Sequence, residues 1–311
     1  MEYRKEKMIV PTHKPVLLKE VLKYLNPGVN ENFIDCTIGE GGHAREILKR
    51  NGPAGKVLGI DLDPLQISVA QWLAVEFKER VVLVNDSYTN LTEIVERKKF
   101  GPVNGILLDL GMSSAQLENT ERGFSFKIDQ VLDMRYNEDM NYLTAEKILN
   151  EWGQEEIERI LREYGEEKFA KRIAQRIVEK RREKRIKTTF QLLEIIKEAL
   201  PSRYWKESKK KKFPIHYGTK VFQALRIAVN DELENLQKVL PQAVAVLAPG
   251  GRMVVISFHS LEDRIVKRFF NEQSKKKIVR LLTPKPITPS REEIKSNIRA
   301  RSAKLRAVIK I

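Results

Sequence analysis

The segment at 35–43 has the composition of a loop that binds a nucleotide. It reads DCTIGEGGH and follows an apolar stretch that predicts a strand. Glycines between a strand and a helix let a ligand approach the backbone closely, and the helix N-terminus attracts anionic groups. The segment is also typical of an ordinary tight turn, so a second feature is needed before a ligand can be assigned.

That second feature is a pair of acidic residues after the next predicted strand. Asp61 directly follows the apolar run KVLGI at 56–60. A carboxylate at this position of an α/β sheet accepts hydrogen bonds from the ribose hydroxyls of a nucleoside. Asp63 precedes Pro64 and could cap the following helix instead. Together the glycine segment and Asp61 predict an adenosine-containing cofactor, without separating NAD from S-adenosylmethionine.

Polar segments also follow the third and fourth predicted strands. Tyr88 follows the third, where its ring could pack against an adenine base or simply pack at the surface. Asp109 lies near the end of the fourth and opens DLGMSSAQL, which also contains Gln116. Open α/β sheets bind their ligands at the carboxyl edge. Asp109 is therefore predicted to orient a cofactor group or to accept a proton from a substrate.

The elements that must position these residues alternate between strands and helices. A first helix is predicted at 16–25, where apolar residues share one face. Predicted strands follow at 33–37, 56–60, 80–85 and 103–110, with helices at 43–50, 65–77 and 91–98. Near-continuous apolar strands in this rhythm predict a parallel sheet that is covered on both faces.

The alternation stops after about Leu117. The segment 144–200 is helical in pattern, and Thr188 with Gln191 predicts a capping box at the start of its last helix. The remaining predictions are a helical stretch at 221–246 interrupted near Pro241, a turn at 249–251, a strand at 252–258, a helix at 261–270 and a strand at 305–311.

This order predicts an α/β fold with an inserted helical domain. We expect a Rossmann-like sheet domain formed by 1–117 and 225–311, in which the cofactor binds. The inserted all-helical domain would comprise 118–224 and contact the substrate. The sequence leaves the oligomeric state open.

The charge balance favours a polyanionic partner. Lys and Arg number 57 against 42 Asp and Glu, a net charge of +15. This suits RNA, DNA or an anionic membrane, although a merely basic soluble protein is also compatible. No run approaches the roughly 18 apolar residues that span a bilayer. Cys36 is the single cysteine, so we expect no disulfide, no cysteine metal site and a reducing, cytoplasmic location.

Long blocks of the chain resemble one bacterial family, the ribosomal RNA small subunit methyltransferase H family, formerly called MraW. The resemblance covers nearly the whole chain. The blocks are THKPVLLKEVLKYL at 12–25, DCTIGEGGH at 35–43, ILLDLGMSSAQL at 106–117, RGFSF at 122–126, LDMR at 132–135, FQALRIAVNDEL at 222–233, ISFHSLEDRIVKRFF at 256–270 and RARSAKLRAVIK at 299–310.

The resemblance implies a class I methyltransferase that uses S-adenosylmethionine. It implies methylation of the N4 amino group of a decoding-centre cytidine in 16S rRNA, which we expect to be presented within the 30S subunit. Carried over to this chain, the cofactor contacts are Gly41, Gly42, His43, Asp61, Tyr88, Asp109 and Gln116. The residues alone favour a solvated helix-start position for His43, and the resemblance reverses that preference.

The residues that touch the substrate are harder to assign. Many amino-methyltransferases have an Asp/Asn/Ser-Pro-Pro-aromatic tetrapeptide after the fourth strand, whereas this chain has DLGM at 109–112. We predict that Asp109 accepts the amino proton. Phe124 and Phe126 could stack on a flipped base or pack in a core. His259 could contact the substrate or make a structural hydrogen bond.

Three rival functions are weighed against this one. An NAD-dependent oxidoreductase could use the same sheet but gains nothing from a basic surface. A non-catalytic RNA-binding protein would not need an intact glycine loop and Asp61. A methyltransferase of DNA or protein is set aside by the resemblance only. Methylation at cytosine C5 normally needs a thiolate, and Cys36 lies in the first predicted strand rather than after the fourth.

Overall fold

The computed structural model describes residues 14–113, 116, 121–202, 204 and 216–311. The chain divides into two compact units. The first comprises Met1–Ser113 with Leu233–Ile311, and the second comprises Ser114–Glu232. The substrate-binding role expected for an inserted domain stays a prediction.

The first unit is built on a seven-stranded sheet in the order β3-β2-β1-β4-β5-β7-β6. The strands are β1 Asn32–Asp35, β2 Val57–Asp61, β3 Val81–Asn85, β4 Val103–Asp109, β5 Leu247–Ser257, β6 Val279–Leu281 and β7 Lys304–Lys310. Strands β1 to β5 are parallel, and β7 is antiparallel to both β5 and β6. The strand order runs outwards from β1 in both directions, which confirms the predicted Rossmann-like α/β fold.

The helices connect these strands and form most of the second unit. In chain order they are α1 Leu18–Leu25, α2 Gly42–Leu48, α3 Pro64–Phe77, α4 Leu91–Arg97, α5 Ala145–Glu151, α6 Gln154–Glu163, α7 Ala170–Glu183, α8 Thr189–Ala199, α9 Thr219–Asn230, α10 Glu232–Val246, α11 Ser260–Lys275 and α12 Arg291–Ser296. Among the described residues, no helix combines the length and the apolar character needed to cross a bilayer.

Helices cover the sheet on both faces, as the apolar strands predicted. Neighbouring strand residues point to opposite faces, so Phe33 and Ile34 belong to different clusters of buried side chains. The cluster around Ile34 includes residues of α4, α10 and α11. The cluster around Phe33 includes residues of α1, α2 and α3. Because helices pack on both faces of the sheet, the strand ends that carry the polar residues are held in fixed positions.

Two predictions next to β5 were wrong. The helical stretch breaks at Asp231, which has a left-handed backbone and ends α9, while Pro241 lies inside α10. Buried residues on both sides of Pro241, including Leu240 and Ala243, hold that helix together despite the missing N–H. The predicted turn at 249–251 is instead a bulged part of β5, where the register with β4 shifts.

The helices predicted within 144–200 lie in the second unit. Four of them, α5 to α8, lie within 144–200. Thr188 and Gln191 form the predicted capping box, in which each side chain bonds the backbone N–H at the other position. The run of four lysines at 209–212 lies outside the described residues. Two short elements were missed by the sequence analysis, β6 and α12.

Candidate active site

The polar residues predicted from the sequence converge at the carboxyl edge of the sheet. Asp61 and Asp109 are the last residues of β2 and β4. Tyr88 follows β3 in a short 3₁₀ turn. The direction of winding reverses between the paired strands β1 and β4, and open sheets bind ligands beyond the carboxyl ends of the strands at such a point.

Asp61 connects two loops at this edge. Its Oδ2 accepts a hydrogen bond from the N–H of Gly39 at 3.0 Å, and its Oδ1 accepts one from the N–H of Asp63 at 3.0 Å. Asp63 itself caps α3 by accepting from the N–H of Leu65 at 3.1 Å. The two acids of this segment therefore divide the roles left open by the sequence: Asp63 is the helix cap, and Asp61 faces the glycine loop.

Gly41 and Gly42 are required by packing. A Cβ on Gly41 would lie 2.5 Å from Cδ1 of Leu73, and the residue has a φ of +83°. A Cβ on Gly42 would lie 2.6 Å from Cγ of Pro15. These two glycines let the loop lie close to α3 and to the residues before α1, so the tight-turn explanation accounts for both.

Gly39 differs from its two neighbours because the space beside it is open. A Cβ there would meet no atom closer than 3.8 Å, and the nearest side-chain atom would be Oε1 of Gln66 at 4.0 Å. The residue has a φ of +50°. A ligand can therefore approach the backbone at Gly39 more closely than at Gly41 or Gly42, a distinction that the glycine spacing did not reveal.

His43 lies in the first turn of α2 and is buried, at 7% exposure. The solvated position favoured by the residues alone was wrong. Its Nε2 lies 3.4 Å from Oδ2 of Asp109, without the alignment of a hydrogen bond. Among the described residues, neither ring nitrogen of His43 has a hydrogen-bond partner. A buried imidazole with two unused nitrogens is suited to a polar ligand.

Asp109 is held in place by its backbone. Its N–H donates to Oγ1 of Thr37 at 2.7 Å, which ties the end of β4 to the loop after β1. Oδ1 accepts a bent hydrogen bond from the N–H of Gly111 at 3.3 Å. The carboxylate of Asp109 is one-fifth exposed, so a ligand can reach it.

Two carboxyl groups at the carboxyl edge of the sheet have raised pKa values. Burial raises the pKa of Asp35 to about 6, although the nearby His43 and the N–H of Thr37 oppose the shift. Burial raises the pKa of Asp61 to about 7 against the two hydrogen bonds from backbone N–H groups. Shifted acids in a cleft are typical of sites that bind or react.

Gln66 is a candidate site residue that the sequence analysis missed. Its side chain is almost fully buried, at 1% exposure, and among the described residues neither Oε1 nor Nε2 has a partner. Leaving both atoms unpaired costs free energy unless a ligand or water satisfies them. A glutamine one turn into a helix carries no sequence signal of its own, which explains why it was missed.

A family model, described as the MraW methylase family, matches residues 11–311. The chain belongs to that family. It is 45% identical to the ribosomal RNA small subunit methyltransferase H of Heliobacterium mobile, over 96% of this chain and 99% of that protein. It is 46% identical to the protein of the same name from Thermotoga neapolitana, over 95% of each. A solved rRNA methylase from Streptococcus thermophilus aligns over 97% of this chain and 99% of that one, with a TM-score of 0.45 and 9% identity.

Membership of the MraW methylase family confirms the predicted cofactor, S-adenosylmethionine. The residues at the carboxyl edge fit such a molecule. Asp61 can accept hydrogen bonds from a ribose, and Gly39 leaves room for the ligand. The unpaired nitrogens of His43 and the unpaired amide of Gln66 can be satisfied by its polar groups. Bound there, S-adenosylmethionine supplies an electrophilic methyl group.

The other predicted cofactor contacts lie on separate elements. Tyr88 packs against the buried cluster around Ile34 and is half-buried. Gln116 is buried, at 7% exposure, and belongs to the second unit. Their contacts with a cofactor stay predictions.

Phe124 and Phe126 both lie in the second unit and differ in burial. Phe124 is 7% exposed and stacks on Tyr136 with ring centroids 5.4 Å apart. Phe126 is half-buried, stacks on His216 at 4.5 Å and meets Phe222 edge-on at 4.9 Å. Core packing explains Phe124, whereas Phe126 is only half-buried.

His259 makes a structural hydrogen bond, which is one of the two roles that the sequence allowed for it. It precedes α11, where its Nδ1 accepts a hydrogen bond from the N–H of Glu262 at 3.4 Å. Nε2 lies 3.0 Å from Oε1 of Glu262. Oε2 of Glu262 in turn accepts from the N–H groups of Phe258 at 2.7 Å and His259 at 3.2 Å. His259 is thus engaged as a helix cap, and a contact with substrate stays a prediction.

Proposed function

We propose that this protein transfers a methyl group from S-adenosylmethionine to the N4 amino group of a decoding-centre cytidine in 16S rRNA. The substrate would be the RNA within the 30S subunit, in the cytoplasm. The observation that carries the proposal is the pair formed by His43 and Asp109 at the carboxyl edge of the sheet. The relatives' name, ribosomal RNA small subunit methyltransferase H, supports the choice of substrate.

Asp109 is the group that best fits the acceptor of an amino proton. The N4 lone pair of cytosine is delocalised into the ring and is a poor nucleophile. A carboxylate that accepts a hydrogen bond from the amino group increases the electron density on nitrogen and then removes the proton. Asp109 is anchored through Thr37 and is partly open to solvent, so it can present an oxygen without rearrangement.

Alignment is the other contribution of the site. Methyl transfer needs the amine, the methyl carbon and the sulfur in line, and fixing reactants in this way can supply up to about 7–11 kcal/mol. Asp61 would hold the nucleoside part of the cofactor, and His43 with Gln66 would hold other polar groups. These three side chains lie on α2, β2 and α3, whose positions are fixed by packing against the sheet.

The second unit would contact the RNA. Phe126 is half-buried and is the aromatic residue on which a base could stack, and the basic residues of 172–187 lie in the same unit. Stacking of this kind is worth about 1–3 kcal/mol per base. Lys and Arg contacts to phosphates add affinity that falls steeply with salt.

The experiment uses 30S subunits from cells that lack the corresponding gene. They are incubated with the purified protein and labelled S-adenosylmethionine, and the rRNA is digested so that the labelled nucleoside can be identified by mass. We expect label in N4-methylcytidine. Label in another nucleoside would overturn the position, and methylation of naked RNA but not of 30S subunits would overturn the assembled substrate.

A cofactor test separates this function from its oxidoreductase rival. Thermal unfolding is measured with S-adenosylmethionine and with NAD at the same concentrations. A ligand that binds only the folded protein raises the melting temperature, and a tighter ligand raises it more at the same concentration. Protection by S-adenosylmethionine alone is expected, and protection by NAD alone would overturn the proposal.

A further inference from the structure

A cleft of about 270 Å³ opens beside the carboxyl end of β5. Its walls come from three places in the first unit: the start of α11, the segment before α12 and the segment that leads into β7. The lining residues are Phe258, His259, Ser260, Thr288, Arg301, Ser302, Ala303 and Lys304. Four of these lining residues, 301–304, belong to the basic segment RARSAKLR at 299–306.

Three of the polar side chains that line this cleft have unengaged hydrogen-bond donors. Among the described residues, the guanidinium of Arg301 and the hydroxyls of Thr288 and Ser302 make no hydrogen bond or ion pair. Lys304 reaches Oδ2 of Asp263 at 3.4 Å with its Nζ and keeps other N–H donors for a ligand. A guanidinium, an ammonium and two hydroxyls in one concave surface are suited to an oxyanion.

Two acids beside the cleft, Glu262 and Asp263, are engaged by other groups. Asp263 is bound by Arg306, whose Nε and Nη2 lie 2.6 and 3.2 Å from its two oxygens. Burial raises the pKa of Asp263, but Arg306 and Lys304 outweigh burial and lower it overall. Glu262 directs its carboxylate to backbone N–H groups and to His259. The cationic groups of the lining are therefore not cancelled by a free carboxylate on these two residues.

The cleft lies next to the loop that carries the proposed proton acceptor. Asp109 pairs with Ile256 across β4 and β5, and Phe258 comes two residues later. A Cβ on Gly111 would lie 2.7 Å from the ring of Phe258, so the two loops are in contact. The 16-residue helix α11 also begins here, and the positive end of its dipole adds to the attraction for an anion.

We propose that this cleft binds a phosphodiester group of the RNA near the nucleotide that is methylated. The inference rests on the proposed function, because it assigns the cleft to the same RNA. Arg301 would make the main contact with the phosphate, supported by Lys304 and by the hydroxyls of Ser302 and Thr288. Such a contact fixes the register of the RNA at the site without reading its sequence.

The experiment compares Arg301→Ala with Arg50→Ala. Both arginines are exposed and, among the described residues, their side chains make no hydrogen bond or ion pair, so neither change should disturb folding. Arg50 follows α2 and lies towards the opposite edge of the sheet. Binding of unmethylated 30S subunits is measured at several KCl concentrations and constant Mg²⁺, and the affinity for S-adenosylmethionine is measured for each variant.

Arg301→Ala is expected to weaken binding of the 30S subunit and to reduce the slope of log K against log[salt] by about 0.7–1, the loss of one phosphate contact. Arg50→Ala should leave both unchanged, and neither should alter the affinity for S-adenosylmethionine. Arg301→Lys, which keeps the charge, should restore most of the slope. Equal effects of the two alanine variants, or no effect of Arg301→Ala, would overturn the phosphate site.

The same samples separate this inference from the proposed function. The identity of the methylated nucleoside tests the proposed function, whereas the salt slope tests the cleft. A product other than N4-methylcytidine with an altered slope in Arg301→Ala would reject the reaction and keep the RNA contact. The expected product with an unaltered slope would keep the reaction and reject the cleft.

Discussion

The buried and partly buried acids on the two sides of this sheet have opposite surroundings. Beside β1 and β2, burial raises the pKa values of Asp35 and Asp61, and among the described residues no lysine or arginine lies within ion-pair distance of either. Beside β5 and β7, Asp263 is held by Arg306 and Lys304 and its pKa is lowered.

This difference indicates a binding role for Asp35 and Asp61 and a structural role for Asp263. An acid without a cation reduces the stability of the free protein and is retained where a ligand supplies the missing hydrogen bonds. An acid paired with Arg306 stabilises the fold and leaves neighbouring cations available for another anion. The four predictions below test this contrast, from the largest expected effect to the smallest.

Replacing Asp109 should have the largest effect on activity. Asp109→Asn keeps the size of the side chain but removes the proton acceptor, so kcat should fall about 10²- to 10⁴-fold. The measurement is the rate of methyl transfer to 30S subunits at saturating S-adenosylmethionine. Glu79→Gln, an exposed acid before β3, is the control and should keep full activity. A kcat within threefold of the unaltered protein would exclude Asp109 as the acceptor.

Removing Arg306 should produce the largest loss of stability. Arg306→Met leaves the mostly buried Asp263 with Lys304 as its one remaining cation, and breaking such a pair costs about 3 kcal/mol in free energy of unfolding. The measurement is urea denaturation. The stabilisation comes from a lowered pKa, so it is present above about pH 4 and is lost as the pH falls further. A loss independent of pH between 3 and 7 would contradict the electrostatic origin.

Asp35→Asn should stabilise the free protein at high pH. The folded state holds the proton of Asp35 more tightly than the unfolded state, with a pKa of about 6. The contribution of this group to stability therefore falls as the pH rises from about 4 to about 6, and the cost of a buried charge is fully present above that. We expect a gain of about 1–3 kcal/mol at pH 8.

The gain should be about half as large at pH 5, where the carboxyl of Asp35 is mostly neutral in the folded protein but ionised in the unfolded chain. The free energy of unfolding of the unaltered protein and of Asp35→Asn is measured by denaturation at pH 8 and pH 5, without cofactor. A gain of the same size at pH 5 would assign the effect to packing rather than to charge.

The affinity for S-adenosylmethionine should depend on the ionisation of Asp61. Ribose hydroxyls donate to the ionised carboxylate, so binding must release the proton when the pH is below about 7. Affinity should fall by up to about tenfold between pH 7 and pH 6 and stay level above pH 8. Isothermal titration in buffers of different ionisation enthalpy measures the released proton. An affinity that does not change with pH would contradict the contact between Asp61 and the ribose. Asp61→Asn should show such a pH-independent affinity.

Local patterns were sufficient to predict most of the elements. Apolar strands that end in Asp61 and Asp109 are short-range features, and so is the capping box of Thr188 and Gln191. The helix break near Pro241 was wrong because burial of α10 outweighs one lost hydrogen bond. The turn at 249–251 was wrong because a bulge and a turn share the same glycines.

By itself, the sequence determined most of the strands and helices, the residues at the strand ends, the family and the cofactor, because each depends on a contiguous run of residues. Only the tertiary structure decided which of those residues meet. It buried His43 beside Asp109, left Gln66 unpaired, separated the packed Gly41 from the open Gly39 and paired Asp263 with Arg306. These facts depend on contacts between distant parts of the chain, and pairing and desolvation are set by such contacts alone.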